Sequence, residues 1–303
     1  MLAIIIPYYK LTFFEATLQS LAAQTCQDFK VYIGDDGSPE DPTELLHHFQ
    51  GQFNFVYHRF ETNLGGVSLT KQWERCIALS DNEEWLMILG DDDVLGENVV
   101  EAFYSLINEK SLEIDLIRCK LEVIKNDSLI ENTFDYQLHE NSIRFLQRIL
   151  SLAETITASE FIFRREIYKK KGGFDDYPLA WFSDYATWLK FSESTGIYNL
   201  INAKVFWRLS TLNISGTNND IENSRKKVQS LFMFINFVKS YDIITNFEIK
   251  KFAMGHFRNL TIHFTYWDFF ELFKATSNKN IIIKIQIFTS ILLSRFKNQL
   301  KSI

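Results

Sequence analysis

Hydrophobic and polar positions follow two alternating periods over the first 120 residues. Short apolar runs, typical of buried parallel strands, are found at Leu2–Ile6, Phe29–Ile33, Phe53–His58 and Trp85–Leu89. Between them the apolar residues recur at helical spacing, which predicts helices near residues 13–23, 42–49, 68–79 and 97–108. This alternation of strands and helices predicts βαβ units, and hence an α/β fold with a mostly parallel, Rossmann-like sheet flanked by helices.

The pattern changes towards the C-terminus. Further strands are predicted at residues 114–124, 160–164 and 205–208, with a helix at 183–194. Beyond about residue 220 the strand signals fade, and helical patterns occupy residues 221–240, 246–273 and 281–300. We therefore expect an α/β domain over residues 1–215 and a helical C-terminal region over residues 216–303.

Composition and charge exclude several classes of protein. With 46% hydrophobic residues and a net charge of -6, the chain resembles neither a disordered protein nor a general nucleic-acid binder. Its three cysteines are widely spaced, which predicts reduced thiols in the cytoplasm and no disulfide scaffold. No targeting segment is expected, and the apolar stretch Ile281–Leu293 is too short to cross a membrane.

Three consecutive carboxylates, Asp91, Asp92 and Asp93, follow the strand that ends at Leu89. Neighbouring carboxylates raise one another's pKa unless a cation lies between them. Residues i and i+2 of an extended segment project to the same side, so we expect Asp91 and Asp93 to hold Mg²⁺ or Mn²⁺. Asp92 would then point away from the cation or towards a ribose. The alternative is a cluster that caps the following helix.

A second acidic pair, Asp35 and Asp36, follows the strand that ends at Ile33, before Gly37 and Ser38. Ligands of parallel sheets bind beyond the carboxyl ends of the strands, where a carboxylate can accept hydrogen bonds from a base or a ribose. The alternative is an ordinary turn, because Asp, Gly and Ser all favour turns.

Together these segments resemble family 2 glycosyltransferases of the GT-A fold. The resemblance rests on the order and spacing of Ile4-Ile5-Ile6-Pro7-Tyr8-Tyr9, Gln24-Thr25, Asp35-Asp36-Gly37-Ser38, Asn63-Leu64-Gly65 and Leu89-Gly90-Asp91-Asp92-Asp93-Val94-Leu95. It implies a nucleotide-sugar half over residues 1–110 and an acceptor half over residues 111–215. It also implies a sugar-nucleotide donor, a Mn²⁺ or Mg²⁺ cofactor and inverting transfer to a hydroxyl.

The resemblance assigns roles position by position. The implied nucleotide-binding residues are Pro7, Tyr8, Asp35, Asp36, Lys71 and Asp92, and the implied metal ligands are Asp91 and Asp93. Two departures from the family pattern affect these assignments. Many relatives carry an Arg–Asn pair near Lys71, and Gly90 stands where other members carry an acidic residue, which shifts the metal motif towards its later carboxylates.

A further similarity surrounds Asp184. The segment Gly172-Gly173-Phe174-Asp175 and the later Ser183-Asp184 resemble the family's glycine–phenylalanine turn and acidic dipeptide, with Ser183 in place of Glu. The resemblance implies that Asp184 is the catalytic base, which accepts the proton of the acceptor hydroxyl. The alternatives are a helix-capping role for Asp184 and a base at Asp175 or Asp176. Trp207 and Arg208 resemble a loop that closes near the diphosphate, with a surface salt bridge as the alternative for Arg208.

The C-terminal segment is basic and rich in aromatic residues. Six Lys or Arg residues and no acidic residue follow Glu271. As a helix, residues 281–300 would place Ile281, Ile285, Phe288, Leu292 and Phe296 on one face. This pattern predicts peripheral contact with an anionic membrane at its inner face, as a lipid-linked acceptor would require. The alternatives are packing on the catalytic domain and a homodimer contact.

The sequence therefore predicts a metal-dependent inverting glycosyltransferase. Its donor would be a nucleotide-diphosphate sugar, most simply a UDP-sugar, and its acceptor a glycan or lipid-linked hydroxyl in cell-surface polysaccharide synthesis. Two alternatives are a sugar-nucleotide nucleotidyltransferase and a catalytically degenerate sugar-nucleotide-binding module.

Overall fold

The computed structural model describes residues 1–109, 113–125, 128–130, 136–152, 155–210 and 220–275, together with 285, 288 and 289. The strands are Leu2–Tyr8 (β1), Phe29–Asp35 (β2), Phe55–Arg59 (β3), Trp85–Ile88 (β4), Val94–Leu95 (β5), Leu116–Lys125 (β6), Ser128–Ile130 (β7), His139–Glu140 (β8), Phe161–Arg164 (β9) and Ile197–Leu209 (β10). The helices are Phe14–Ala22 (α1), Thr43–His48 (α2), Leu69–Ile77 (α3), Val99–Glu109 (α4), Ser142–Ser151 (α5), Arg165–Lys171 (α6), Ser183–Phe191 (α7), Ile221–Val238 (α8), Asn246–Leu260 (α9) and Tyr266–Ala275 (α10).

The strands form one mixed sheet in the order β3-β2-β1-β4-β9-β6-β10-β5. Strands β1 to β4 are parallel to one another, and β10 is parallel to β6. Strand β9 runs antiparallel between β4 and β6. The predicted α/β fold with a mostly parallel sheet and flanking helices is confirmed.

Strand β1 shows why this sheet is buried on both faces. Leu2, Ile4 and Ile6 point into one hydrophobic core, whereas Ala3 and Ile5 point into the other, and all five are fully buried. Alternate residues of a strand face opposite sides of a sheet, so a continuous apolar run is what two covered faces require. The order of β1, β2 and β4 brings their carboxyl ends to one edge of the sheet.

The C-terminal helices depart from the predicted pattern in one respect. The expected single helix over residues 246–273 is two helices, α9 and α10. The reason is a new start at Thr265, whose hydroxyl accepts a hydrogen bond from the Asp268 backbone N–H. The Asp268 carboxylate in turn accepts from the Thr265 backbone N–H, so the pair forms a capping box.

Helices α8, α9 and α10 share a hydrophobic core with α3, α5 and α7 of the α/β part. The predicted boundary at residue 215 lies outside the described residues, as does most of the segment 281–300. Phe288 of that segment is buried, and its ring stacks on Phe232 of α8 at 6.1 Å. Among the described residues, no helix is both long and apolar enough to cross a bilayer.

Candidate active site

A cavity of about 600 Å³ lies at the carboxyl ends of β1, β2 and β4. Its wall is formed by Pro7, Tyr9, Lys10, Asp36, Asn63, Gly65, Gly66, Leu69, Trp73, Asp91, Asp92, Asp93, Thr155, Ile156, Thr157, Ala158, Ser159, Leu179, Ala180, Trp181, Phe182, Asp184, Tyr185, Trp207 and His256. Two acidic groups that are separated in the sequence, Asp91–Asp93 and Asp184, therefore face one space. Such a convergence of carboxylates in one mostly apolar recess is typical of a ligand site.

The adjacent residues Asp35 and Asp36 have different surroundings. Asp35 is fully buried and accepts hydrogen bonds from the Tyr57 hydroxyl at 2.6 Å and the Arg59 guanidinium at 2.8 Å. Asp36 lines the cavity, where its carboxylate accepts from the Gly65 N–H at 2.8 Å and from the Arg75 guanidinium. Asp36 is thus the member of the pair that can meet a ligand, while Asp35 holds the end of β2 in place.

The residues of the aspartate triplet also differ. Both carboxylate oxygens of Asp93 are engaged, because Oδ1 accepts from the Arg208 N–H at 3.0 Å and Oδ2 accepts from the Ser159 hydroxyl. One oxygen of Asp91 accepts from the backbone N–H groups of Tyr9 and Lys10, at 2.7 and 2.8 Å. These bonds tie the end of β1 to the loop after β4. They also fix the carboxylates of Asp91 and Asp93 in the cavity wall.

Gly90 explains how two of these carboxylates come close together. A Cβ at this position would lie 2.8 Å from Oδ2 of Asp93 and 3.1 Å from Oδ1 of Asp92. The carboxylates thus occupy the space that any larger residue would fill. The absence of a side chain at Gly90, which departs from the family pattern, is what this arrangement of Asp92 and Asp93 requires.

Burial disfavours the ionised form of all three carboxylates of the triplet. Burial raises the pKa of Asp91 to about 7 and that of Asp92 to about 7, and the neighbouring carboxylates add to both shifts. Burial also raises the pKa of Asp93 to about 6. Carboxylates with such pKa values suit a divalent cation, which would replace the protons. Within the described ranges, no group of three or more His, Cys, Asp or Glu side chains could hold a metal by itself, so a cation here would also need ligand oxygens from a substrate.

Asp184 lies in the first turn of α7, on the cavity wall. Burial raises the pKa of Asp184 to about 7, and the nearby Glu160 adds to the shift. The residue at the N-cap position is Phe182, which makes no side-chain capping bond, but the Asp184 carboxylate accepts a hydrogen bond from the Tyr185 backbone N–H at 2.9 Å. Asp184 thus satisfies a backbone donor of the first turn, as the capping alternative expects, and also lines the cavity. A carboxylate with this pKa in a cavity can take up a proton near neutral pH.

The rival bases are engaged elsewhere. Asp175 forms an ion pair with Lys190 at 2.9 Å, and Asp176 accepts hydrogen bonds from the Ser68 and Thr70 hydroxyls at 2.7 Å. Neither residue is among those that line the cavity. Of the three candidates, Asp184 is the one that lines the cavity.

The other predicted nucleotide-binding residues lie partly inside and partly outside the cavity. Pro7 lines the wall. Tyr8 points to the opposite face of β1, where it is fully buried against Phe14 and its hydroxyl donates to the Glu40 carbonyl at 2.8 Å. The contact between the Tyr8 side chain and a base that the resemblance implied does not fit this burial. The Lys71 ammonium is exposed, 4.0 Å from Asp176, and Lys71 is not a lining residue.

Several lining residues were not predicted from the sequence. Lys10 supplies a basic side chain beside the triplet. Its position just after the first strand was the signal in the sequence that could have indicated it. Arg208, which was predicted together with Trp207, is not itself a lining residue, but it is buried next to the triplet, where its guanidinium donates to the Asp92 carbonyl at 3.1 Å and lies over the Phe13 ring. His256 lines the cavity from α9, and no motif in the sequence indicated this position.

Comparisons with known proteins agree with this geometry. The profile of the family described as "Glycosyl transferase family 2" matches residues 3–172, more than half of the chain. The chain belongs to this family. The matched segment contains the aspartate triplet, whereas Asp184 and His256 lie beyond it.

Two curated relatives carry glycosyltransferase names. An uncharacterized glycosyltransferase of Haemophilus influenzae is 28% identical over 300 residues, which cover 96% of each chain. The glycosyltransferase GlyG of Streptococcus pneumoniae is 25% identical over 115 residues, which span 38% of this chain and 37% of that protein.

Solved structures share the fold. The structure of residues 1–349 of S. aureus TarS in complex with UDP-GlcNAc matches with a TM-score of 0.62 and 16% identity, over 98% of this chain and 92% of that one. The predicted GT-A fold with a helical C-terminal part is therefore confirmed.

Proposed function

We propose that this chain is an inverting glycosyltransferase that moves a sugar from a nucleotide-diphosphate sugar, a UDP-sugar in the first instance, to a hydroxyl. The proposal rests on one observation above all: the aspartate triplet and Asp184 line the same cavity. Its volume of about 600 Å³ is in the range of small-molecule sites. The UDP-GlcNAc complex of the TarS fragment, which has a similar fold, supports the choice of donor.

The donor would bind at the ends of β1, β2 and β4. Pro7 and Asp36 offer an apolar surface and a carboxylate to the base and ribose, and Asn63 and the glycines after it complete this wall. Asp36 is held in place by Arg75, which also lies over the Phe60 ring at 3.8 Å. Lys10 would attract the diphosphate, a role first assigned to Lys71.

Asp92 and Asp91 would hold Mn²⁺ or Mg²⁺ together with the diphosphate oxygens of the donor. When bound, the cation stabilises the negative charge that develops on the leaving nucleoside diphosphate. Asp93 would position the triplet through its bonds to Ser159 and Arg208. This choice of metal ligands differs from the pair that the sequence predicts, Asp91 and Asp93.

Asp184 would act as the base. With its pKa raised to about 7, the carboxylate is able to accept the proton of the acceptor hydroxyl as that oxygen attacks the anomeric carbon. Attack from the side opposite the leaving diphosphate would invert the anomeric configuration.

The reaction class is tested by product analysis. The purified chain is incubated in Mn²⁺ with UDP-GlcNAc or other UDP-sugars and p-nitrophenyl glycosides as acceptors, and the release of nucleoside diphosphate is measured. We expect UDP, and we expect EDTA to abolish its release. In a parallel incubation with UTP and a sugar 1-phosphate, release of pyrophosphate would indicate a nucleotidyltransferase instead, and the absence of both products in the two assays would favour a binding module.

The acceptor and location are part of the same proposal. A glycan or lipid-linked acceptor in polysaccharide synthesis would be met at the inner face of a membrane, where the basic C-terminal segment could contact anionic lipid. Because Phe288 is buried in the helical core, truncation would disturb the fold. A better variant replaces Lys284, Arg295 and Lys297 with Ser; loss of its sedimentation with phosphatidylglycerol vesicles supports the contact, and unchanged sedimentation contradicts it.

A further inference from the structure

His256 of α9 lies outside the segment that matches the family profile, yet it lines the cavity. Of the described residues in the cavity wall, it is the one contributed by the C-terminal helices. Its ring contacts Phe182 edge-on, with the centroids 5.0 Å apart, and Phe252 at 4.6 Å. The helical region therefore carries a polar group into the site.

The His256 imidazole has unused hydrogen-bonding capacity. Burial lowers its pKa to about 4, so the ring is neutral at pH 7 and has one N–H donor and one acceptor nitrogen. Both neighbours of the ring, Phe182 and Phe252, are aromatic, and the described part of the chain provides no hydrogen-bond partner for either nitrogen. A polar group in an aromatic wall that opens on a cavity is suited to a ligand that both donates and accepts.

The segment 179–182 places His256 on the side of the base. Leu179, Ala180 and Phe182 all have positive φ values, 58°, 52° and 67°, which non-glycine residues rarely adopt. Phe182 precedes Asp184 by two residues, and its ring stacks on Phe234 of α8 and meets His256 of α9. Strain of this kind persists where surrounding structure holds it, and it is common at functional sites.

We infer that His256 is a specificity-determining residue that hydrogen-bonds a hydroxyl of the acceptor sugar adjacent to the hydroxyl that attacks. A hydroxyl both donates and accepts and so can pair with both nitrogens of a neutral imidazole, whereas a phosphate or carboxylate would use its N–H donor alone. The C-terminal helices would thus select the acceptor, and the family-matched segment would bind the donor. This inference rests on the proposed function.

The test separates the imidazole's nitrogens from its ring. His256→Phe keeps the aromatic contacts with Phe182 and Phe252 but removes both nitrogens, and His256→Gln restores a neutral donor and acceptor. His263→Ala is the control, since His263 is an exposed histidine on the turn after α9. The donor is UDP-GlcNAc, and the acceptor probes are p-nitrophenyl glycosides and their monodeoxy analogues.

We expect His256→Phe to raise the acceptor KM at least about tenfold, with kcat and the Kd for UDP nearly unchanged. One monodeoxy analogue should be discriminated by the unmodified chain but not by His256→Phe, and His256→Gln should recover part of this discrimination. If His256→Phe does not fold, His256→Gln is compared with the unmodified chain instead. Weaker discrimination of that analogue by His256→Gln supports the inference, and unchanged discrimination contradicts it. Unchanged acceptor discrimination in both variants, or an equal loss of UDP binding, would overturn the inference.

The two proposals fail differently. If the unmodified chain releases no UDP from any donor and glycosylates no probe, the proposed function is wrong and this inference falls with it. If the unmodified chain transfers sugar and the His256 variants resemble the His263→Ala control, only the role of His256 is wrong.

Discussion

At the scale of single residues, Gly90 is a position in the site where a side chain does not fit. Its missing side chain leaves room for the Asp92 and Asp93 carboxylates, and Asp93 is tied to Ser159 and Arg208 and so cannot move aside cheaply. Gly90→Ala should lower kcat/KM at least about tenfold, since displacement of a catalytic group by an ångström has effects of this size or larger.

A matched control for this prediction is Gly51→Ala. Gly51 has a φ of +81° and nothing within 4 Å of its would-be Cβ. Alanine there should cost about 1–2 kcal/mol of backbone strain without touching the cavity. Normal activity in the Gly90→Ala variant, measured beside this control, would show that the two carboxylates do not need this space.

The pH dependence of transfer follows from Asp184. Because the pKa of Asp184 is raised to about 7, the base is protonated below this pH and ionised above it. At saturating Mn²⁺, log kcat/KM should therefore rise with a slope of about 1 up to roughly pH 7 and then level off. His256, with a pKa of about 4, stays neutral over this range. A flat profile between about pH 5.5 and 8 would not agree with Asp184 as the base.

Adjacent residues also show the limit of sequence reasoning at this scale. Asp35 and Asp36 are residues of the same type, and the sequence does not show which of them faces a ligand, because their hydrogen-bond partners are far away along the chain. Tyr57 and Arg59 bind Asp35, while Arg75 binds Asp36. Such contacts depend on the packing of β3 and α3 around β2, which no local pattern contains.

At the scale of elements, α8 and α9 pack against the segment that precedes Asp184. The Ser230 hydroxyl donates to the Pro178 carbonyl at 2.8 Å, and Phe234 stacks on Phe182 at 5.4 Å. Phe234→Leu should destabilise the chain on the order of 1 kcal/mol, because the residue stays apolar. If α8 positions Asp184, kcat should fall even at a temperature where the variant is fully folded, and calorimetry should show that UDP binding is retained.

The control is an equivalent change away from this contact. Phe103 is fully buried on α4, where its ring meets Trp85 at 5.4 Å in the other hydrophobic core. Phe103→Leu should lower the melting temperature to a similar degree and leave kcat unchanged. Equal effects of the two substitutions on kcat would mean that α8 contributes stability alone.

Strands and helices with strong periodic signals were predicted well, and weaker ones were missed. The runs at β1, β2 and β4 are apolar on both faces, so their burial could be read directly from the sequence. The two-residue strand β5 pairs with Val205 and Phe206 of β10 and has no local signal of its own. The division between α9 and α10 depends on the Thr265–Asp268 cap, a signal that was present but masked by continuous apolar spacing.

At the scale of the whole molecule, two parts of the chain line one cavity. The segment that matches the family profile carries the triplet, and the C-terminal helices contribute His256. The profile match ends at residue 172, before Asp184 and His256. Donor chemistry was therefore predictable from motifs near strand ends. The wall around Asp184 was predictable only in part, because it is formed by the segment 179–182, with its positive φ values, and by His256 of α9.

The central claim is that Asp184 is the base of a glycosyl transfer, and Asp184→Asn tests it most directly. The amide is nearly isosteric but cannot take up the proton, so transfer should fall by about 10²- to 10⁴-fold while UDP binding by calorimetry stays the same. Asp175→Asn, at the rival carboxylate paired with Lys190, should keep its turnover. An Asp184→Asn variant that retains more than about a tenth of the normal rate would contradict the account.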